Sequence, residues 1–560
     1  VKTLNHLIAG SCTKYANRSA MGMAFEIPIT YEELGDRIKQ TAVSLLERGI
    51  KRGDHVAILA ENSPNWGIIY LAIVRLGAVA VPILPDFLES DVRHILSDSE
   101  AKILFTTGRQ LEKLYELSCK RLELVVTMDD SSAENKPISI TRFSDFLTDE
   151  QEGFKKQKDK IAELAGRVKE DDLAAIIYTS GTSGHSKAVM LTHRNLVSNV
   201  DSARGIIDIR PEWTFLSILP LSHAYEFTAG FLLPISRGSR IVYLGGRPTP
   251  SLMQKVCQQE KPSASCVVPM VLEKIYKKRV LPTLEKNPLV RLVIGIPGMR
   301  ARIYRKIGKR LLDFFGGQLV LLAIGGAAIN HEVEEFLHQA KFPYIVGYGL
   351  TETSPLLTGG PFKDPTVRVG SAGKPVPQVR IKIVNKQPES GIGEIYASGP
   401  NIMAGYYKNK ELTELTFDAD GWLATGDLGY LDELNNLFIM GRSKSVIVLS
   451  HGENIYPEAI EDKIYSYRHV VECLVVARND KLEALVYLDY EVVDDETGGK
   501  SQQEKKEYIN TLLEQIRKEV NQDLPLYSQL ASLVERPEPF IKTATHKIKR
   551  YLYCQSAARG

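Results

Sequence analysis

The chain has 560 residues, 44% of them apolar and 25% charged. That is material for about three to five folding units around a large core, and it excludes wholesale disorder. With 70 Lys and Arg against 68 Asp and Glu, the net charge is +2, which gives no global field for polyanions, so no nucleic-acid partner is expected.

The six cysteines (Cys12, Cys119, Cys257, Cys266, Cys473 and Cys554) fall at none of the short spacings of zinc or redox motifs. They read as reduced thiols of a cytosolic protein. The first residues lack the apolar core of a signal peptide. The most apolar stretch, Ile68 to Leu84, is interrupted by Arg75 and Pro82, so no membrane span is expected. The expected location is the cytoplasm, with peripheral contact at the inner face of the membrane left open.

In chain order, Thr30-Tyr31-Glu32-Glu33 is a capping box opening a helix, with Leu34, Ile38, Ala42, Leu45 and Leu46 at helical spacing and Gly49 as its stop. A strand over His55–Ala60, a helix over Trp66–Leu76 and a buried strand AVAVPIL follow. This alternation predicts an α/β fold with a large, layered, mostly parallel body. Strand-turn-helix units recur at Leu173–Asn199 and Val320–Ala340. Residues 150–171 are highly charged and read as a surface connection with some helix. Near Gly441-Arg442-Ser443-Lys444 the pattern changes to short strands and charged helices. The expected organisation is therefore a body over 1–443 and a small, mobile α+β domain over 444–560.

The strongest local signal is Tyr178-Thr179-Ser180-Gly181-Thr182-Ser183-Gly184-His185-Ser186-Lys187, after the apolar strand LAAII and before a helix starting near Thr192. Glycines permit a tight turn, hydroxyls and backbone N–H groups can face anionic oxygens, and Lys187 adds charge. The spacing is not that of a Walker loop, because Ser186 stands for Gly and Ala188 for Ser or Thr. No G-x-G-x-x-G fingerprint occurs here either.

The segment resembles the signature loop Y-T-S-G-T-T-G-x-P-K-G of the adenylate-forming superfamily, with departures at Ser183, Ser186 and Ala188. Other motifs of that superfamily follow in order. Leu219-Pro220-Leu221-Ser222-His223-Ala224-Tyr225-Glu226-Phe227 resembles the LPLxH segment on the acyl side; the resemblance puts His223 at the acyl pocket and Phe227 at its aromatic gate. Gly325-Gly326-Ala327-Ala328 and Gly347-Tyr348-Gly349-Leu350-Thr351-Glu352 resemble the adenine wall and the YGxTE motif. By that resemblance Tyr348 stacks on adenine, Thr351 contacts the α-phosphate and Glu352 holds Mg²⁺, with Thr179 a second candidate for the metal. Asp420-Gly421-Trp422-Leu423-Ala424-Thr425-Gly426-Asp427 resembles DGWxxTGD, giving Asp427 the ribose hydroxyls and Arg442 the ribose or phosphate region. Lys444 falls on the hinge, followed by Ser445 where an acid is usual. Gly452 falls on the pantetheine tunnel, and Lys547, in Lys542-Thr543-Ala544-Thr545-His546-Lys547-Ile548-Lys549-Arg550, on the catalytic lysine, with His546 replacing Gly.

The resemblance covers about residues 28–552 and is nearest to bacterial long-chain fatty-acid–CoA ligases, carried by KIKRYLY and PMVLEKIY. It implies ATP, Mg²⁺ and coenzyme A as cofactors, and activation of a long- or medium-chain acid to acyl-AMP followed by transfer to the CoA thiol. A carrier-protein phosphopantetheine as acceptor, and an aryl or short acid as substrate, stay open, as does oligomeric state. A luciferase-type oxygenase and a non-catalytic acyl-binding relative are the other classes. No motif demands O₂ chemistry, and Lys187, Glu352, Asp427, Arg442 and Lys547 form a complete set. Residues 274–310 are strongly basic and interleaved with apolar residues, a pattern shared by a solvated helix face and a surface for anionic lipid.

Overall fold

The computed structural model describes residues 2–114, 119–132, 139–147, 153–179, 186–246, 248–285, 296–449, 453–543 and 547–554. Local sequence sets the helices of the first unit. Thr30 caps helix Tyr31–Glu47 in a reciprocal capping box with Glu33. Ser63 caps helix Pro64–Arg75, whose first position is the proline that helix starts favour. Between them His55–Leu59 forms a strand that pairs in parallel with Val79–Ile83. Pro82 has no N–H to donate, and on its other side Val79–Ile83 pairs with Leu173–Thr179 only through Ala80 and Ala175.

Two large sheets build the body. One has eight strands, in the order 405–406, 187–192, 173–179, 79–83, 55–59, 103–106, 124–127 and 140–142. From 173–179 to 140–142 every pairing is parallel. The other has nine strands, with a parallel centre formed by 344–349, 321–324, 264–267, 214–217, 240–243 and 19–23. The largest core joins residues of both sheets around Trp66, Tyr70, Phe231 and Tyr243. Two further cores pack helices on the outer faces, and this is the layered α/β class the alternation predicts.

Two features differ from the sequence reading, and a third agrees with it. The segment 173–199 is not a plain strand-turn-helix unit, because Lys187–Thr192 forms an additional strand antiparallel to Leu173–Thr179. The signature loop therefore joins a hairpin, closed by Thr179 opposite Lys187, and the helix His193–Ile206 starts only after that second strand. The charged stretch after residue 150 carries the expected helix, Gly153–Arg167, which buries Ile161 and Ala165 against the body. Residues 380–442 fold as a four-stranded antiparallel sheet, 380–384, 393–398, 423–431 and 437–442. Beyond it, a separate core from Leu449 to Leu530 packs strands 470–478, 481–488 and 530–535 against helices Pro457–Tyr465 and Gln502–Gln522.

Glu226 stands in a π-helical turn, Glu226–Leu232, with no surface exposed, and burial pushes its carboxyl up to about 8. A β-carbon on Gly230 would lie 2.5 Å from its Oε1, so glycine there leaves room for the acid. Because the folded value lies above the ordinary 4.5, the native state binds the extra proton. The associated stability is complete below the ordinary value and is lost as pH rises through about 8, a change on the order of a few kcal/mol. Melting temperatures measured from about pH 5.5 to about pH 9 should fall more steeply for the native chain than for E226Q, whose amide does not titrate.

Candidate active site

A cleft of about 3480 Å³ opens between the body and the C-terminal unit. It is lined by Thr179, Lys187, His223, Gly326, Ala327, Ala328, Tyr348, Thr351, Glu352, Asp427, Arg442 and Lys547. Ser180, Gly181, Thr182, Ser183, Gly184 and Gly452 lie outside the described residues.

Asp427 is the most enclosed of the charged groups, 4% exposed. The antiparallel register pairs it with Arg442, whose Nε donates to Oδ1 at 2.8 Å. The Tyr348 hydroxyl donates to Oδ2 at 2.6 Å. Burial raises the Asp427 carboxyl, opposed by Arg442, the Tyr348 hydrogen bond and Lys547. An ionised carboxylate has about four lone-pair sites, so two partners leave acceptor capacity for a diol.

Glu352 occupies a 3-10 turn, Thr351–Thr353, directly after strand Tyr344–Gly349. The turn requires Gly349: a β-carbon there would lie 1.7 Å from the Pro355 carbonyl oxygen. Tyr406 donates to Glu352 Oε1 at 2.9 Å, and its ring lies 5.0 Å from Lys187 Nζ. No motif marks Tyr406. It arrives because the two-residue strand Gly405–Tyr406 pairs with Met190 and Val189 at the sheet edge. Upstream, Tyr178 is fixed by a 2.6 Å hydrogen bond to Asp98, which anchors the strand leading into the signature loop.

Lys187 and Lys547 line the same cleft as these acids. Desolvation holds the Lys187 ammonium below its ordinary value; Glu352 opposes this, while Lys444 and Arg442 reinforce it. Lys547 keeps contact with water while protein encloses it on most sides. Desolvation and then Arg442 lower its ammonium, against Asp427 and Glu352. Its backbone is held by Thr543, whose N–H donates to the Lys547 carbonyl at 2.8 Å.

His223 accepts the Tyr225 N–H at Nδ1, 3.2 Å away, which leaves Nε2 to carry the proton of a neutral ring. Burial, then Lys547, pushes it down to about 4. Phe227 is not among the residues that line the cleft. It is 2% exposed, with its ring 4.2 Å from that of Tyr70 and 5.6 Å from that of Phe231, because the π-helical turn directs it into the body core.

A metal would find hard oxygen donors here in Glu352 and the hydroxyls of Thr351 and Thr179. Among the described residues no three His, Cys, Asp or Glu side chains converge as a metal cage. The donor set therefore fits a Mg²⁺ that takes one protein carboxylate and completes its shell from phosphate oxygens and water.

A family model described as AMP-binding enzyme matches residues 9–407, and one for the AMP-binding enzyme C-terminal domain matches residues 444–556. The chain belongs to the AMP-binding enzyme family. Similar AMP-binding relatives include the long-chain-fatty-acid–CoA ligase heimdall of Drosophila melanogaster, 28% identical over 83% of this chain and 72% of the relative. The 4-coumarate–CoA ligase 3 of Arabidopsis thaliana is 27% identical over 86% of this chain and 80% of the relative. Among solved structures, the anthranilate CoA ligase AuaEII in complex with anthranoyl-AMP superimposes with a TM-score of 0.77 at 19% identity, covering 98% of this chain and 96% of that one. That likeness establishes the shared fold.

Proposed function

We propose that this chain is an AMP-forming acyl-CoA synthetase acting on a long- or medium-chain fatty acid. The observation that carries the reading is the convergence of Lys187, Glu352, Asp427 and Arg442 with Lys547, a residue from the far end of the chain, on one cleft. In this reading residues 1–443 bind ATP and the acid, and residues 444–560 carry the catalytic lysine on a mobile domain.

In the first step a carboxylate oxygen attacks the α-phosphorus, and the bond to pyrophosphate breaks. Two anions must meet, so the step depends on positive charge and alignment more than on proton transfer. Lys547 bridges the carboxylate and the α-phosphate, and Lys187 with the signature loop, Thr179 to Gly184, holds the other phosphates. Thr351 hydrogen-bonds the α-phosphate. Glu352, with Thr179, would hold Mg²⁺, which supplies charge neutralisation to the phosphates when bound. Tyr348 and the small residues Gly326, Ala327 and Ala328 flank adenine, and Asp427 accepts from the ribose hydroxyls. In the second step the CoA sulfur attacks the acyl carbon and AMP leaves. Lys547 must withdraw to admit the thiol, past Gly452, by rotation of the C-terminal domain about Lys444. His223 borders the acyl site as a neutral ring.

The fatty acid is favoured by KIKRYLY and PMVLEKIY and by relatives named for long-chain acids. On the body, helix Pro297–Phe314 buries Ile307, Leu311 and Phe314 and exposes Arg302, Arg305, Lys306, Lys309 and Arg310. Those five cations recur at helical spacing on one face, a surface suited to the anionic membrane in which fatty acids partition. No helix among the described residues is long and apolar enough to cross a membrane.

Pyrophosphate release from ATP and Mg²⁺, measured over acids from acetate to oleate, should require a long or medium chain, with acyl-CoA forming only when CoA is added. Release that stalls as acyl-AMP until a holo carrier protein is added would reassign the acceptor, and release with aryl acids alone would reassign the substrate. D427N should weaken ATP binding by about tenfold, as expected for losing a charged hydrogen-bond acceptor. It should also erase most of the preference for ATP over 2′-deoxy-ATP in equilibrium binding; an undiminished preference would remove Asp427 from the ribose site. Sedimentation with phosphatidylglycerol vesicles should retain the protein at low salt and release it as salt rises. Reversal of Arg302, Lys306 and Lys309 to glutamate should abolish retention, and binding indifferent to these charges would sink the membrane contact.

A further inference from the structure

In another part of the same cleft, the C-terminal unit is seated on the body by part-buried polar contacts that the proposed chemistry leaves unused. Lys277, in a π-helical turn of the body, Tyr276–Val280, donates from Nζ to the Val470 carbonyl at 2.8 Å. The same ammonium lies 3.9 Å from the centre of the Tyr465 ring. Beside it, Asn330 is 3% exposed, and its amide donates to both the backbone carbonyl and Oδ1 of Asp462, each at 3.0 Å. Asn330 is itself fixed, since its Oδ1 caps helix His331–Gln339 and its N–H donates to Glu273 at 3.3 Å.

The partners sit on the element that governs Lys547. Asp462 and Tyr465 belong to helix Pro457–Tyr465. Glu461, the neighbour of Asp462 on that helix, is ion-paired with Arg550, three residues beyond Lys547. The other arm of the same hairpin is fixed by Lys542 on Glu472, 2.5 Å apart, and by the bridge between Lys542 and Ile548. One continuous set of contacts thus runs from Lys277 and Asn330, through a single helix, to the lysine in the cleft.

We infer that Lys277 and Asn330 form a docking clamp that sets the acid-activating pose of the C-terminal domain, and that both are positioning residues for the first half-reaction alone. The inference rests on the two-step reading above. The clamp engages groups on helix Pro457–Tyr465 and at the start of strand Val470–Arg478, and these groups leave the body when the domain turns to admit the thiol. Losing the clamp lowers the population of the pose that delivers Lys547, and the rate of the first step falls with that population.

The test uses the full chain with K277M, which keeps the side chain's length and removes its charge and donor, and K277R, which restores both. The two half-reactions are measured separately: acid-dependent exchange of pyrophosphate into ATP, and thioester formation from preformed acyl-AMP and CoA. K277M should slow the first by about tenfold and leave the second unchanged or faster, with K277R recovering much of the loss. Equal losses in both steps, or none in the first, would overturn the clamp. A second readout is independent of turnover. Dyes on R302C and K500C, in a background with Cys12, Cys119 and Cys554 changed to serine, report the distance between the body and the C-terminal domain. K277M should shift or broaden that distance distribution in the ligand-free protein, and an unchanged distribution would equally overturn the clamp. If the native chain exchanged no pyrophosphate with any acid, the enzymatic reading would fall, and the dye distances alone would decide whether the clamp exists.

Discussion

Within the cleft, the charges that act directly on Lys187 and Lys547 are the like charges of Arg442 and Lys444 and the carboxylates Glu352 and Asp427, and the reaction reading depends on that local cluster of cations. Desolvation lowers both lysines, and each is lowered further by like charge from Arg442. Such a local cluster of partly desolvated cations favours a ligand that brings negative charge. A nucleoside triphosphate with a carboxylate beside it does so, because the charges it contributes are the ones that repel each other in the reaction. The acids have separate duties. Asp427 is fixed by Arg442 and Tyr348, and Glu352 by Tyr406, so neither is free to collapse onto Lys187 or Lys547 and quench the site.

Delivering these groups to one place explains the otherwise unrelated elements of the body. Lys187 stands at the start of the return strand of a hairpin, Asp427 and Arg442 are register partners in an antiparallel sheet, and Glu352 follows a strand of the nine-stranded sheet. Each position is set by backbone hydrogen bonds and not by a flexible loop, which gives a charged cleft fixed geometry before ligand arrives. The close approach at Gly349 shows how tightly this is set. Any side chain there would strike the Pro355 carbonyl and displace the turn that carries Thr351 and Glu352.

Most of the cleft was legible in the sequence because its residues sit in short segments whose spacing is dictated by local backbone geometry. Tyr348, Thr351 and Glu352 share one such segment, and Asp427 lies in another. The parallel body was legible for a similar reason, since AVAVPIL and its neighbours alternate with amphipathic helices. What escaped depends on which segments pair as strands, a property no single motif carries. Tyr406 becomes a site neighbour only through a two-residue edge strand, and Lys187–Thr192 becomes a strand only because Leu173–Thr179 is there to pair with it. Phe227 shows that a motif position leaves the direction of a side chain open. Its motif position pointed to the acyl site, while the π-helical turn carries its ring into the core against Tyr70.

The contact between body and C-terminal unit is polar, and its energetics follow from that. Burial there pushes Glu273 up to about 7 and Lys277 down to about 8, so the groups that hold the domain in place also lose hydration when it docks. Desolvation offsets much of what such contacts gain, and a buried ionic contact therefore specifies a geometry more than it adds net stability. An apolar interface of similar extent would hold more firmly and without that offset. In the proposed two-step cycle, where Lys547 enters for one step and leaves for the next, a seat that is exact in direction and shallow in energy suits the cycle better than a deep one. Lys277, reaching across to a backbone carbonyl and an aromatic face, provides a seat of that kind.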